Sequence, residues 1–79
     1  MSTKLYDIIS QVMNVPVSRI NDGSSPESIE TWDSFHGLVL LDDLETTFNV
    51  KFTIDEVVST KTVADIKRNL QNHGVVLDR

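Results

Sequence analysis

Ser34 is the residue whose type and position best suit covalent chemistry. It follows Asp33 within Glu30-Thr31-Trp32-Asp33-Ser34-Phe35-His36-Gly37-Leu38, where a loop runs into the longest apolar-periodic segment of the chain. Asp33 reads as a helix N-cap, which puts Ser34 in the first turn. Free backbone N–H groups and the positive end of a helix dipole favour an anion there, so a phosphate esterified to Ser34 Oγ would be accommodated. The plain alternative is that Asp33 only caps and Ser34 only starts a helix.

The remaining reactive groups form no catalytic constellation. His36 lies two residues beyond Ser34, a separation that points side chains apart on a helix and argues against a Ser–His dyad. The chain has no Gly-x-Ser-x-Gly elbow, Gly-rich phosphate loop or His-Glu-x-x-His. Asp42, Asp43 and Glu45 lack the alternate spacing and central glycine of a calcium loop. His36 and His73 have no ligand spacing, and there is no cysteine to form a disulfide or thiolate site. The expectation is a protein that is not itself an enzyme and binds no metal.

Seventy-nine residues make one small domain, expected to span 1–79. With 39% hydrophobic and 24% charged residues, the composition is that of a globular chain. No apolar run reaches membrane-spanning length and no basic-then-apolar leader opens the chain, so a cytoplasmic, monomeric protein without a membrane span is expected. The net charge of −5 is concentrated. Residues 27–56 carry eight acids and one base, whereas the remainder carries four acids and six bases. Such a surface disfavours nucleic acid and favours a basic patch on a partner protein, or serves solubility alone.

Four helices must position these groups. Leu5, Ile8, Ile9, Val12 and Met13 predict a first amphipathic helix from about Thr3 to Met13 or Asn14, closed by Pro16. Val17 and Ile20 are expected to pack on the core from the connection, and Asn21-Asp22-Gly23-Ser24-Ser25-Pro26 is a loop in which Ser25 caps a turn through Ile29. The second helix runs from Ser34 to about Phe48 or Asn49. Its core stripe is Gly37, Leu40, Leu41, Leu44 and Phe48, and its outer face carries His36, Val39, Asp42, Asp43 and Thr46. Gly37 on the inward face implies close approach of another segment. Val50 and Phe52 flank Lys51 in an extended piece. Thr53-Ile54-Asp55-Glu56 is a capping box for a short third helix ending near Ser59. A fourth helix follows Thr62, with Val63, Ile66 and Leu70 inward, and stops at Asn72-His73-Gly74. Val75, Val76 and Leu77 form an apolar tail. The fold class is all-α, a four-helix bundle without strands.

Asp33-Ser34-Phe35, the apolar helix ending at Phe48, and Val50-Lys51-Phe52 before Asp55-Glu56 together resemble the acyl carrier protein family. The resemblance covers about Leu5 to His73 in size and helix layout. In that family an Asp-Ser-Leu motif opens the second helix and its serine carries 4′-phosphopantetheine. The resemblance thus implies a four-helix bundle of the acyl carrier type with a short third helix. It implies a cofactor attached at Ser34, with Asp33 as motif partner and cap, and an acyl group held as a thioester. It also implies an apolar cleft, for which Leu38, Leu41, Phe52, Ile54, Val57 and Ile66 are the lining candidates, with plain core packing as the alternative for each.

The partners implied are a phosphopantetheinyl transferase, an acyl-loading enzyme, and a synthase or transferase with a basic or apolar docking patch. Phe35, His36, Val39, Asp42, Asp43 and Glu45 on the second helix, with Asp55, Glu56 and Val58 on the third, are the candidate contact residues. Phe35 stands where the family usually has leucine, and His36, Val39, Thr46 and Val58 stand where charges are common. These departures point to a specialised carrier in fatty acid, polyketide or polysaccharide-modification metabolism. An aminoacyl or peptidyl carrier, and an unmodified helical adaptor using the same face, remain alternatives.

Overall fold

The structure, a computed structural model, describes residues 3–77, so the ends of the expected domain, 1–2 and 78–79, lie outside the described residues. It contains four α-helices: α1 (Thr3–Met13), α2 (Ser34–Phe48), α3 (Ile54–Ser59) and α4 (Val63–Asn72). There is no strand among the described residues. A single 3₁₀ turn, Val17–Arg19, breaks the first connection and was not foreseen in the sequence. No described helix is long and apolar enough to cross a membrane.

The helix ends follow from local chemistry. Asn14 and Asn49 adopt φ +56°, and Gly74 adopts φ +85°, conformations open to asparagine and glycine. Each lets the next N–H reach back five residues: Val15 to Ser10 O at 3.2 Å, Val50 to Glu45 O at 3.0 Å, and Val75 to Leu70 O at 3.0 Å. These bonds satisfy carbonyls that the helices leave unpaired. At the other ends, Thr53 with Glu56 and Thr62 with Asp65 form reciprocal capping boxes.

The core is built from Leu5, Ile9 and Met13 of α1, Leu40 and Leu44 of α2, and Val63, Ile66 and Leu70 of α4. The first connection adds Ile20, Ile29 and Trp32. Several expected core residues lie at its margin instead. Ile8, Val12, Leu41, Phe48 and Phe52 are only half-buried, and Val17 is exposed at 45%. These half-buried side chains pack against the core from its edge, where polar side chains adjoin them: Lys4 Nζ lies 5.6 Å from the centre of the Phe48 ring, and the Phe52 ring lies edge-on to His73 at 5.8 Å.

Polar bonds hold that connection in place. Thr31 Oγ1 donates to the Met13 carbonyl at the end of α1. The carbonyls of Ser24 and Asp22 accept from Val63 N at 3.0 Å and Ala64 N at 2.9 Å, so the loop caps α4 from outside. Tyr6 Oη donates to Asp22 Oδ1 at 2.6 Å, and Lys67 Nζ donates to Asp22 Oδ1 at 2.6 Å and to Tyr6 Oη at 3.0 Å. This trio ties α1, the loop and α4 together. In the tail, Val75 and Leu77 pack on the core while Val76 is 92% exposed.

Candidate functional site

Asp33 is the N-cap of α2, with extended backbone and its Oδ1 accepting from His36 N at 2.8 Å. His36 Nδ1 lies 2.9 Å from the same oxygen. These bonds, the backbone one foremost, lower the Asp33 pKa and keep the carboxylate charged. The imidazole is thereby turned to Asp33, so Asp33 and His36 form one capping unit. Ser34 is the first residue of α2 and is exposed.

Asp33 and Ser34 lie on the rim of an open cavity of about 570 Å³. Its α2 wall is Gly37, Leu38, Leu40 and Leu41, and Val57 and Thr60 face it from α3 and the turn that follows. Ile66 of α4 forms a buried part of the lining, and Pro26 and Trp32 enclose it from the first connection. The lining is mainly hydrocarbon, the kind of wall that holds an apolar chain by removing it from water. The serine hydroxyl and this cavity are brought together by one feature, the turn that carries the chain from Trp32 into α2.

Four of the six expected lining residues, Leu38, Leu41, Val57 and Ile66, line the cavity. Phe52 and Ile54 do not. The Phe52 N–H donates to Glu45 Oε2 at 2.8 Å, and its ring stacks edge-on with His73 at 5.8 Å, which directs it to the α4 end. Ile54 opens a six-residue helix and is 81% exposed. A helix so short turns only part of its length to the cavity, and Val57 takes that place.

The residues expected to meet partners divide in the same way. Phe35, Asp42, Asp43, Asp55 and Val58 are exposed, while His36 and Val39 are half-buried. Glu45 and Glu56 are engaged within the fold. Glu45 holds the Phe52 N–H, and Glu56 accepts from Thr53 N at 2.8 Å and lies 2.8 Å from His73 Nε2. The His73 contact, then the Thr53 bond, lower the Glu56 pKa. Among the described residues no three His, Asp or Glu side chains are gathered within reach of one metal ion.

Trp32 was missed as a site residue. With Asp33 as N-cap, Trp32 is the preceding residue and Gly37 the fourth in the helix, the two positions of a hydrophobic staple, but glycine has no side chain to complete one, so the pattern does not announce the contact. The indole does pack there: a Cβ built on Gly37 would lie 3.4 Å from Trp32 Nε1 and 3.7 Å from Cδ1. Pro26, Gly37, Leu40 and Thr60 are the other lining residues outside the expected set. Compared with known proteins, the chain matches no family model and no curated protein.

Proposed function

We propose that the protein is an acyl carrier that bears 4′-phosphopantetheine on Ser34 and presents an acyl thioester to partner enzymes. The observation that carries this reading is the exposed Ser34 hydroxyl at the start of α2, on the rim of an apolar cavity. When attached, the cofactor supplies a thiol that holds the acyl group as a thioester, so the chain itself needs no cysteine. Attachment forms a phosphodiester at Ser34 Oγ as the pyrophosphate bond of coenzyme A breaks; adenosine 3′,5′-bisphosphate leaves with the bonding electron pair, and the serine hydroxyl proton passes to a base of the transferase or to water.

The chain's own residues do the rest. The first turn of α2 offers free N–H groups and a positive dipole end to a phosphate on Ser34. Asp33 fixes that turn through His36 N. Leu38, Leu41, Val57 and Ile66 give hydrocarbon a place out of water. Phe35, Val58 and the exposed carboxylates Asp42, Asp43 and Asp55 form the outer surface, suited to a partner patch that is basic and partly apolar. In the test, purified protein is incubated with a broad-specificity phosphopantetheinyl transferase and coenzyme A. The wild type gains the mass of one phosphopantetheinyl group and Ser34→Ala gains none. An unchanged wild-type mass overturns the proposal.

A further inference from the structure

We infer that the cavity beside Ser34 selects oxygenated acyl chains over saturated ones, with Trp32 as the residue that reads the oxygen. The inference rests on the carrier reading and deepens it. Trp32 is only 7% exposed, and its Nε1 edge lies against Gly37, about one turn of α2 beyond Ser34. No buried side-chain nitrogen or oxygen of the described residues lacks a partner. The indole N–H has no acceptor among those residues and is not a sealed-in orphan. Trp32 and Gly37, which meet at this edge, both line the cavity, and on our proposal the N–H faces it.

A second polar group stands on the same wall. Thr60 Oγ1 donates to Glu56 O at 2.6 Å and accepts from Asn69 Nδ2 at 2.9 Å. A hydroxyl has one donor and two lone pairs, so one lone pair of Thr60 remains for a ligand. Thr60 also lines the cavity. Inward of Asp33 and Ser34 at the rim, the remaining side chains of the lining are hydrocarbon, so Trp32 and Thr60 offer one donor and one acceptor there. A saturated chain uses neither and leaves the indole N–H without a partner once the cavity is filled, which is costly in apolar surroundings. A keto chain can accept from Trp32. A hydroxylated chain can use both groups. A site with a buried donor discriminates against the analogue that cannot satisfy it. The expected order is β-hydroxyacyl, then β-ketoacyl, then saturated acyl.

Trp32 is the single tryptophan in the chain, so its indole N–H resonance reports on the cavity directly. Four forms are prepared on Ser34: unacylated holo protein, saturated acyl, β-ketoacyl and β-hydroxyacyl, the acyl chains having equal carbon number. Intact mass verifies each. Relative to the saturated form, the β-hydroxyacyl form should show a downfield indole N–H whose hydrogen exchange is slowed about threefold to tenfold, the factor for one hydrogen bond of ordinary net strength. It should also have the highest melting temperature, a difference that Trp32→Phe abolishes. Should that variant not fold, the wild-type comparison decides alone. Equal exchange in the saturated and hydroxylated forms overturns the inference. The same slowing in the unacylated holo form also overturns it, since an arm carbonyl would then be the acceptor. If Ser34 accepts no arm, the carrier reading itself fails and the inference with it.

Discussion

Replacing Gly37 with alanine should stabilise the protein. Gly37 lies in the interior of α2, where glycine costs about 0.5–1 kcal/mol relative to alanine through the greater backbone freedom of the unfolded chain. The opposing effect would be a clash. The added Cβ would sit 3.4 Å from Trp32 Nε1 and 3.7 Å from Cδ1, which is ordinary van der Waals contact. Each such contact adds ~0.1–0.2 kcal/mol of attraction. The expected net gain is therefore about 0.5–1 kcal/mol, or ~2–8 °C in melting temperature for a domain of this size. Thermal and urea unfolding followed by circular dichroism measure it. A Gly37→Ala variant that melts below wild type would refute the reasoning and show that the indole cannot yield to a methyl group. The substitution also carries a functional readout. The new methyl lies against the indole N–H and should reduce the difference between hydroxylated and saturated cargo.

Two further predictions concern what holds the cavity in place. Leu44→Ala, at a fully buried position, should cost about 3–5 kcal/mol, and Phe48→Ala, at a half-buried one, roughly half as much, by urea unfolding. Lys67→Met should remove the two Lys67 bonds of the Tyr6–Asp22–Lys67 trio while leaving the Tyr6–Asp22 bond, and so weaken a pH dependence. Lys67 and then Tyr6 lower the Asp22 pKa by hydrogen bonding, so that contribution is present above the ordinary aspartate range and fades as pH falls through the lowered value. Asp22, then Tyr6, raise the Lys67 pKa, so its contribution is lost as pH rises through the raised value. The Asp22 side chain is 61% exposed, which limits the effect to under ~1 kcal/mol at neutral pH, smaller in high salt. Unfolding curves of Lys67→Met and wild type should differ at pH 7 and converge in strong acid.

The elements of the fold were legible where the signal is local. Leu5, Ile9 and Met13 repeat with the helical period, and the Thr53–Glu56 and Thr62–Asp65 boxes fix the starts of α3 and α4. Asp33 and Ser34 were legible for the same reason, since a cap acts within one turn. The first connection was legible only in part. Ile20 is buried as expected and the turn from Ser25 to Ile29 forms, whereas Val17 is exposed, and the burial of Ile29 and Trp32 has no period to announce it and depends on bonds to distant elements, such as Val63 N to Ser24 O. The partial reading of the cavity has the same origin. Leu38 and Leu41 follow from the face of α2 that Ser34 opens. The positions of Phe52 and Ile54 are set by Glu45, His73 and the brevity of α3, none of which a pattern of apolar residues encodes.

The central claim is that Ser34 is the site of cofactor attachment, and locating the modification on the chain tests it most directly. Cleavage after Arg19 and Lys51 releases one peptide, residues 20–51, that contains Ser24, Ser25, Ser28 and Ser34 together. Ser24 is buried, with its hydroxyl accepting from Asn21 N at 2.9 Å, and the Ser28 hydroxyl bonds within its own turn, whereas Ser34 is exposed at the head of α2. Fragmentation of this peptide from transferase-treated protein should place the entire phosphopantetheinyl mass on Ser34. The same mass on Ser24, Ser25 or Ser28, or an unmodified peptide, would contradict the account.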